Sequence, residues 1–334
     1  MYRAICVGLL LVGIHCKPPS HVPSDEDMAS ADLNRLTDLS ARDLSMSPPD
    51  LHQEAMAGLL SVWGVDSKHI WAVGGELGRP STILKWDGTT WNPQTNGSTG
   101  ALHAVWGTDV NTIWAVGGEL GVGSKILTWN GLTWSIESIA VTDILWGVWA
   151  ADRNNAWAVG KDGVILKWDG IAWGVQPTGT KTWLTSVWGT DSKNVWAVGE
   201  LGTVLRWNGT AWVEQSSGST EFLVRVGGTD SNNVWAVGFN GVILKWNGTG
   251  WTKQLSGTKV ILSGVWGADA NNVWACGTNG VILKWDGTVW SAQPSGSYAD
   301  FHDLWGVDAS NVWAVGEDRA GAQILRWNGA TWAP

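Results

Sequence analysis

Residues 184–215 read Leu-Thr-Ser-Val-Trp-Gly-Thr-Asp-Ser-Lys-Asn-Val-Trp-Ala-Val-Gly-Glu-Leu-Gly-Thr-Val-Leu-Arg-Trp-Asn-Gly-Thr-Ala-Trp-Val-Glu-Gln, with tryptophan at 188, 196, 207 and 212. Apolar and polar residues alternate in short bursts rich in β-branched side chains, and no stretch keeps a helical period for long. The segment therefore predicts four strands, at Leu184–Gly189, Asn194–Gly199, Thr203–Asn208 and Ala211–Gln215. The breaks between them are turn sequences. Asp191-Ser192-Lys193-Asn194 suits a tight turn in which the aspartate side chain bonds nearby backbone amides. Asn208-Gly209 supplies the positive φ that a tight hairpin needs.

The same unit occurs seven times. Its central tryptophan falls at 71, 114, 157, 196, 235, 274 and 313, spaced by 43 residues twice and by 39 thereafter. A second stands eight residues earlier at 63, 106, 149, 188, 266 and 305, with Gly227 taking its place once. A third, at 86, 129, 168, 207, 246, 285 and 327, precedes an Asp-Gly or Asn-Gly pair, and a fourth follows five residues later. Of 29 tryptophans only Trp146 and Trp183 escape the pattern. Leu59, Leu102, Leu145, Leu184, Leu223, Leu262 and Phe301 recur on the first strand. A lone unit of about 40 residues cannot bury its own apolar faces, but radial stacking buries them between neighbours. The expected fold is all-β: a seven-bladed β-propeller of four-stranded antiparallel blades over residues 58–334. Each indole would lay a flat apolar surface against the next blade.

The recurring Leu-x-Ser-Val-Trp-Gly-Thr-Asp, Val-Trp-Ala-Val-Gly and Gly-x-x-Leu-Lys-Trp-Asp-Gly-x-x-Trp resembles the repeats of the photosystem II stability and assembly factor family. More broadly it resembles bacterial Asp-box (BNR) propellers, which carry their box at the turn between third and fourth strands. The matching stretch Trp86-Asp87-Gly88-Thr89-Thr90-Trp91 lacks the leading serine and is one residue shorter, and four of the seven units have Asn for Asp. Propellers of this kind include sialidases, assembly factors and receptors, so the resemblance implies a fold and leaves the activity open.

Upstream, Met1-Tyr2-Arg3 opens an apolar run from Ala4 to Ile14. It is too short for a spanning helix, which needs about 20 residues, and has the length of a signal-peptide hydrophobic region. Cys16 stands where the run ends, which resembles a bacterial lipoprotein signal whose cysteine is lipidated. Residues 1–16 are thus expected to be a signal peptide with Cys16 as the lipidation site. The chain would be exported to the cell envelope, anchored by that lipid or secreted. Residues 17–57, with Pro18, Pro19, Pro23, Pro48, Pro49, many serines and a recurring Asp-Leu, read as a disordered linker. Leu51–Ala57 is also an expected extra strand on the last blade, whose fourth strand runs out at Trp332-Ala333-Pro334.

Twenty-one basic against thirty acidic residues, for a net charge of −9, exclude a nucleic-acid binder. Three cysteines exclude a disulfide framework, and Cys276, replacing a Val of the repeat, reads as a small buried apolar residue. The Asp at 66, 109, 152, 191, 230, 269 and 308 recurs in every unit, so it is assigned to the turn rather than to calcium. No cofactor or metal is expected. Lys85, Lys167, Arg206, Lys245, Lys284 and Arg326, with Thr128 the exception, are read as solvated or aromatic-capping. A sialidase-like hydrolase would need convergent arginines and a Tyr nucleophile. Arg79, Arg153, Arg225 and Arg319 are instead spread over alternate units, and Tyr298 is the only tyrosine past the leader. A non-enzyme is expected.

Departures from the symmetry carry the functional expectation. Only the link between second and third strands varies in length, with four extra residues in units one and two and three in unit seven. In a closed ring these insertions, Glu76–Ser81, Glu119–Lys125 and Glu317–Gln323, share one sector of one face. His103, His302, Asp303 and Trp146 stand near the start of first strands on that same face, and Trp183 and Phe222 fill one aromatic slot in adjacent units. The candidate partner-binding residues are Glu76, Arg79, Glu119, Lys125, Glu317, Arg319, His103, His302, Asp303 and Trp146, on a monomeric scaffold docking a protein partner. The alternative is a tectonin-like lectin that stacks cell-wall glycan on exposed tryptophan.

Overall fold

A computed structural model describes residues 58–76, 78–119, 123–139 and 141–334. The expected signal peptide, Cys16, the linker and the extra strand at Leu51–Ala57 lie outside the described residues. The rest is seven four-stranded antiparallel sheets, each with its strands in chain order. These blades I–VII span 59–93, 102–136, 145–176, 184–215, 223–254, 262–293 and 300–333. Blade IV consists of Leu184–Asp191, Asn194–Gly199, Val204–Trp207 and Trp212–Gln215, within two residues of the sequence expectation. Its register sets Trp188 opposite Trp196 and Trp207 opposite Trp212.

The ring is closed by the same packing that joins every other pair of blades. The first strand of blade VII, Asp300–Asp308, lies against Leu59–Asp66 of blade I. Trp313 of blade VII packs into a cluster with Leu59, Val62, Ile70 and Leu84 of blade I. Around the ring, Trp196 sits among Leu223, Val234 and Leu244 of blade V, and Trp235 among Leu262, Val273 and Leu283 of blade VI. The second-strand indole is therefore shared between blades, and Trp71, Trp157, Trp196, Trp235 and Trp274 are fully buried.

First-strand indoles explain a glycine. A Cβ on Gly107 would come within 2.6 Å of the Trp63 ring, and one on Gly228 within 2.8 Å of Trp188. The previous blade's indole thus occupies the space a side chain would need. In blade III Ala150 stands at that place, and Trp106 instead donates its indole N–H to the Ala150 carbonyl at 3.2 Å.

The turns are saturated with hydrogen bonds. Asp66 Oδ1 accepts from the Lys68 and His69 amides, and Asp191 Oδ1 from Lys193 and Asn194; Asp109, Asp152, Asp230, Asp269 and Asp308 accept likewise. At the outer hairpins Asp87 accepts from the Thr89 and Thr90 amides while Gly88 takes φ 100°. Donation from Thr90 and Thr89 holds the Asp87 carboxyl well below the usual range. Every third-strand indole donates to a carbonyl in its blade's inner turn, as Trp207 does to Ser192 at 3.2 Å.

The repeated base is an aromatic cap that spans blades. Lys245 Nζ lies 5.2 Å from the ring centroid of Trp235 in its own blade and 5.0 Å from Trp285 in the next. Lys85, Lys167, Arg206 and Lys284 bridge in the same way, whereas Arg326 covers Trp313 alone. Thr128 leaves the junction of blades II and III without a cation. Lys245→Met, which keeps length and removes charge, should lower unfolding free energy by about 1 kcal/mol. Thr128→Lys should raise it by about 0.5–1 kcal/mol; urea denaturation of both variants checks the pair.

Candidate functional site

Each first strand begins on the face that also carries the links between second and third strands. In blades III, IV and V that link is a three-residue 3-10 turn, Lys161–Gly163, Glu200–Gly202 and Phe239–Gly241. Its middle residue is left-handed, as is Asn279 of blade VI. The insertions lengthen this link into hairpins, extending the pairing to Glu119 opposite Gly123 in blade II and Asp318 opposite Gly321 in blade VII. Blade I instead makes an isolated bridge between Pro80 and Thr99.

These three blades knit their loops together. The Gly78 amide of blade I donates to Glu119 of blade II at 3.2 Å, and Lys125 Nζ donates to the Thr99 carbonyl. Arg79 pairs with Glu76 inside its own loop at 3.2 Å, with both side chains more than half exposed. Glu317 of blade VII lies against Gly58, where a Cβ would collide with its carboxylate, and 3.7 Å from His302. Arg319 is exposed at the tip of the blade VII hairpin. Of the expected ten residues, Glu76, Arg79, Glu119 and Lys125 form one group and Glu317 with His302 another.

The remaining three face inward. His103 stacks on Trp146 with ring centroids 4.3 Å apart, and Trp146 on Trp183 at 6.5 Å. His103 is only 6% exposed and holds the Leu145 carbonyl at 3.0 Å through Nδ1. Burial pulls its pKa down to about 4; the Leu145 carbonyl opposes the fall and nearby Lys125 adds to it. His103 is therefore neutral at pH 7.

Asp303 enters the central channel and meets a residue that the sequence reading left unpaired. Arg225 Nη2 of blade V lies 2.8 Å from Asp303 Oδ2 of blade VII. The same oxygen accepts from Ser61 Oγ at 2.8 Å and the Val62 amide at 3.2 Å, and Oδ1 accepts from the Leu304 amide at 3.0 Å. Burial pushes the carboxyl upward against the opposing pull of Arg225. With four donors on it, this carboxylate has little capacity left to act as a base, so the arrangement holds blades rather than moving protons. The pair borders a cavity of about 80 Å³ that includes Ser186 and Gly227, between Trp188 and Trp266. That volume suits a few waters. A signal was present in the sequence: at this register the other units carry Ser61, Ala104, Gly147, Ser186 and Gly264, so the ring holds one cation and one anion.

None of the 29 indoles is exposed. Among the described residues no group of three or more His, Cys, Asp or Glu is placed to hold a metal ion. Cys276 is free and buried, and burial raises its thiol pKa well above the ordinary value.

The sequence matches no protein-family model and no curated protein. Among solved structures the chain is similar to YCF48 bound to D1 peptide, with 21% identity and a TM-score of 0.66 over 82% of this chain and 94% of that one. It is also similar to YCF48 from Cyanidioschyzon merolae, at 17% identity and a TM-score of 0.62 over 83% and 97%. The WD40 β-propeller domain of Doa1 matches at 12% identity with a TM-score of 0.65 over 81% and 94%. At these identities the likeness is one of fold.

Two outcomes follow from the channel. Arg225→Ala or Asp303→Ala should each cost about 3 kcal/mol by leaving a buried charge unpaired, while Arg225→Met with Asp303→Leu should recover most of the loss in a denaturation cycle. His103 binds its proton less readily folded than unfolded, so its contribution is present above pH ~6.5 and is lost as pH falls towards 4. The loss approaches about 3 kcal/mol at its limit. His103→Gln should flatten melting temperature against pH across that window.

Proposed function

We propose that the chain is a non-enzymatic, exported binding scaffold that docks a protein partner on the face bearing the three lengthened links. The observation that carries this reading is confinement: blades VII, I and II raise adjacent loops above a rim that blades III–VI keep at minimal length. A rigid ring with variable loops on one sector is the arrangement expected of a recognition surface. A fold relative bound to D1 peptide supports a peptide or protein segment as the class of partner. In this reading Arg79, Lys125 and Arg319 supply the cationic contacts, Cys16 carries a lipid that holds the scaffold at the cell envelope, and the protein acts as a monomer. Glycan stacking is less favoured, because the indoles that a lectin would present are packed between blades.

Replacing Arg79, Lys125 and Arg319 together with alanine should reduce capture of envelope proteins by the immobilised propeller at least tenfold, while loss of the Lys125 bond to the Thr99 carbonyl costs no more than about 1 kcal/mol and leaves the fold intact. Each is a partly exposed loop or hairpin residue, so unaltered capture by the triple variant would remove this sector from the account.

A further inference from the structure

The aromatic residues that the repeat does not require gather in one place. Apart from Tyr298 and the core residue Phe301, which takes the place of a repeated Leu, the described Trp, Tyr and Phe residues outside the repeated aromatic positions are Trp146, Trp183, Phe222 and Phe239. All four stand at the loop-bearing end of blades III–V, where the links are shortest. Phe222 and Phe239 meet with centroids 5.0 Å apart, and Trp183 extends the row towards Trp146. Trp183, Phe222 and Phe239 are half-buried rather than enclosed in the core.

Two carboxylates are built into this row. Glu200 accepts from the Trp183 amide at 3.2 Å, and its own amide donates back to the Trp183 carbonyl. Glu221 accepts from Asn240 Nδ2 at 2.8 Å, which fixes it beside Phe222. The Glu200–Gly202 turn touches the first strand of blade V, so the two halves are contiguous. Neither carboxylate is in an ion pair among the described residues. Leu201, 71% exposed, holds φ 55° where the neighbouring turns use Asp162, Asn240 and Asn279, residues that tolerate this conformation better. A strained, exposed leucine at this point adds aliphatic surface to the rim of the row.

We propose that Trp183, Phe222 and Phe239, with Glu200 and Glu221, form a subsite for a cationic side chain, an arginine or lysine of the docked partner segment. Ring faces attract a cation through their quadrupole, and unpaired carboxylates at the edge add directional acceptors. The repeat already uses this chemistry internally, where Arg206 rests between two indoles. Here the rings and acids are present, and among the described residues no Lys or Arg lies over these rings. The inference rests on the protein-docking reading above but concerns a different sector, blades IV and V rather than VII, I and II.

Peptide-observed NMR titration of the full chain with acetyl-Gly-Gly-Arg-Gly-Gly-amide, against the same peptide carrying citrulline, tests the assignment. The arginine peptide should bind about tenfold tighter than the citrulline one. Glu200→Gln with Glu221→Gln should abolish that preference, and Phe222→Leu should weaken it. The control Glu137→Gln with Asp286→Asn, the latter the residue four other units carry at that outer turn, removes equal charge elsewhere and should change nothing. No binding, equal binding of the two peptides, or an equal loss in the control would overturn the subsite. The Arg79, Lys125 and Arg319 triple variant should keep its arginine preference, so failure of the hairpin sector and failure of this subsite are read separately.

Discussion

The second-strand indole lodged in the face of the next blade is the contact on which everything else depends. A buried Trp removes some 150–250 Å² from water, worth roughly 4–6 kcal/mol at about 25 cal/mol per Å² before ordering entropy is charged against it. Repetition of that contact around the ring gives neighbouring blades a reason to adhere that no blade possesses alone. Other features are accommodations to it. The glycine after the first-strand Trp yields space to an indole, the third-strand base covers ring faces left at the junction, and the third-strand N–H is bonded to a turn carbonyl. Indole N–H groups of Trp71, Trp157, Trp196, Trp235 and Trp274 find no acceptor among the described residues, a cost that ring burial outweighs.

A scaffold fixed this firmly confines its individuality to places the stacking does not use. Those are the links on one face and the channel wall. On the wall, Arg225 and Asp303 join blades two apart around the axis, with Ser61 of blade I completing the set. Junctions between blades are nearly interchangeable, whereas this contact can form only between one pair. On the face, raised hairpins with mixed charge stand opposite a low aromatic row with acids. Both are single-copy features in a sevenfold frame.

How much of this the sequence disclosed follows from how local each interaction is. Strand boundaries, the Asp191-type turns and the blade count come from residues close in the chain, and Trp196 recurring at 39 residues announces a contact with a neighbouring copy. The insertions were equally plain, since length is read directly. By contrast Arg225 and Asp303 lie in separate units and became partners only once the ring set blade V across from blade VII. His103 and Trp146 looked like surface candidates because they break the pattern; the structure buries them, as their strand starts turn inward against each other. Glu200 and Glu221 gave no signal at all in sequence, because an exposed glutamate is ordinary until rings are found beside it.

The most direct test of the central contact is iodide quenching of the native protein's tryptophan fluorescence, compared with the same chain in denaturant. If indoles join the blades, native emission should be blue-shifted and largely insensitive to iodide, with quenching restored on unfolding. Native emission quenched as readily as the unfolded chain would place the rings in water and contradict the account.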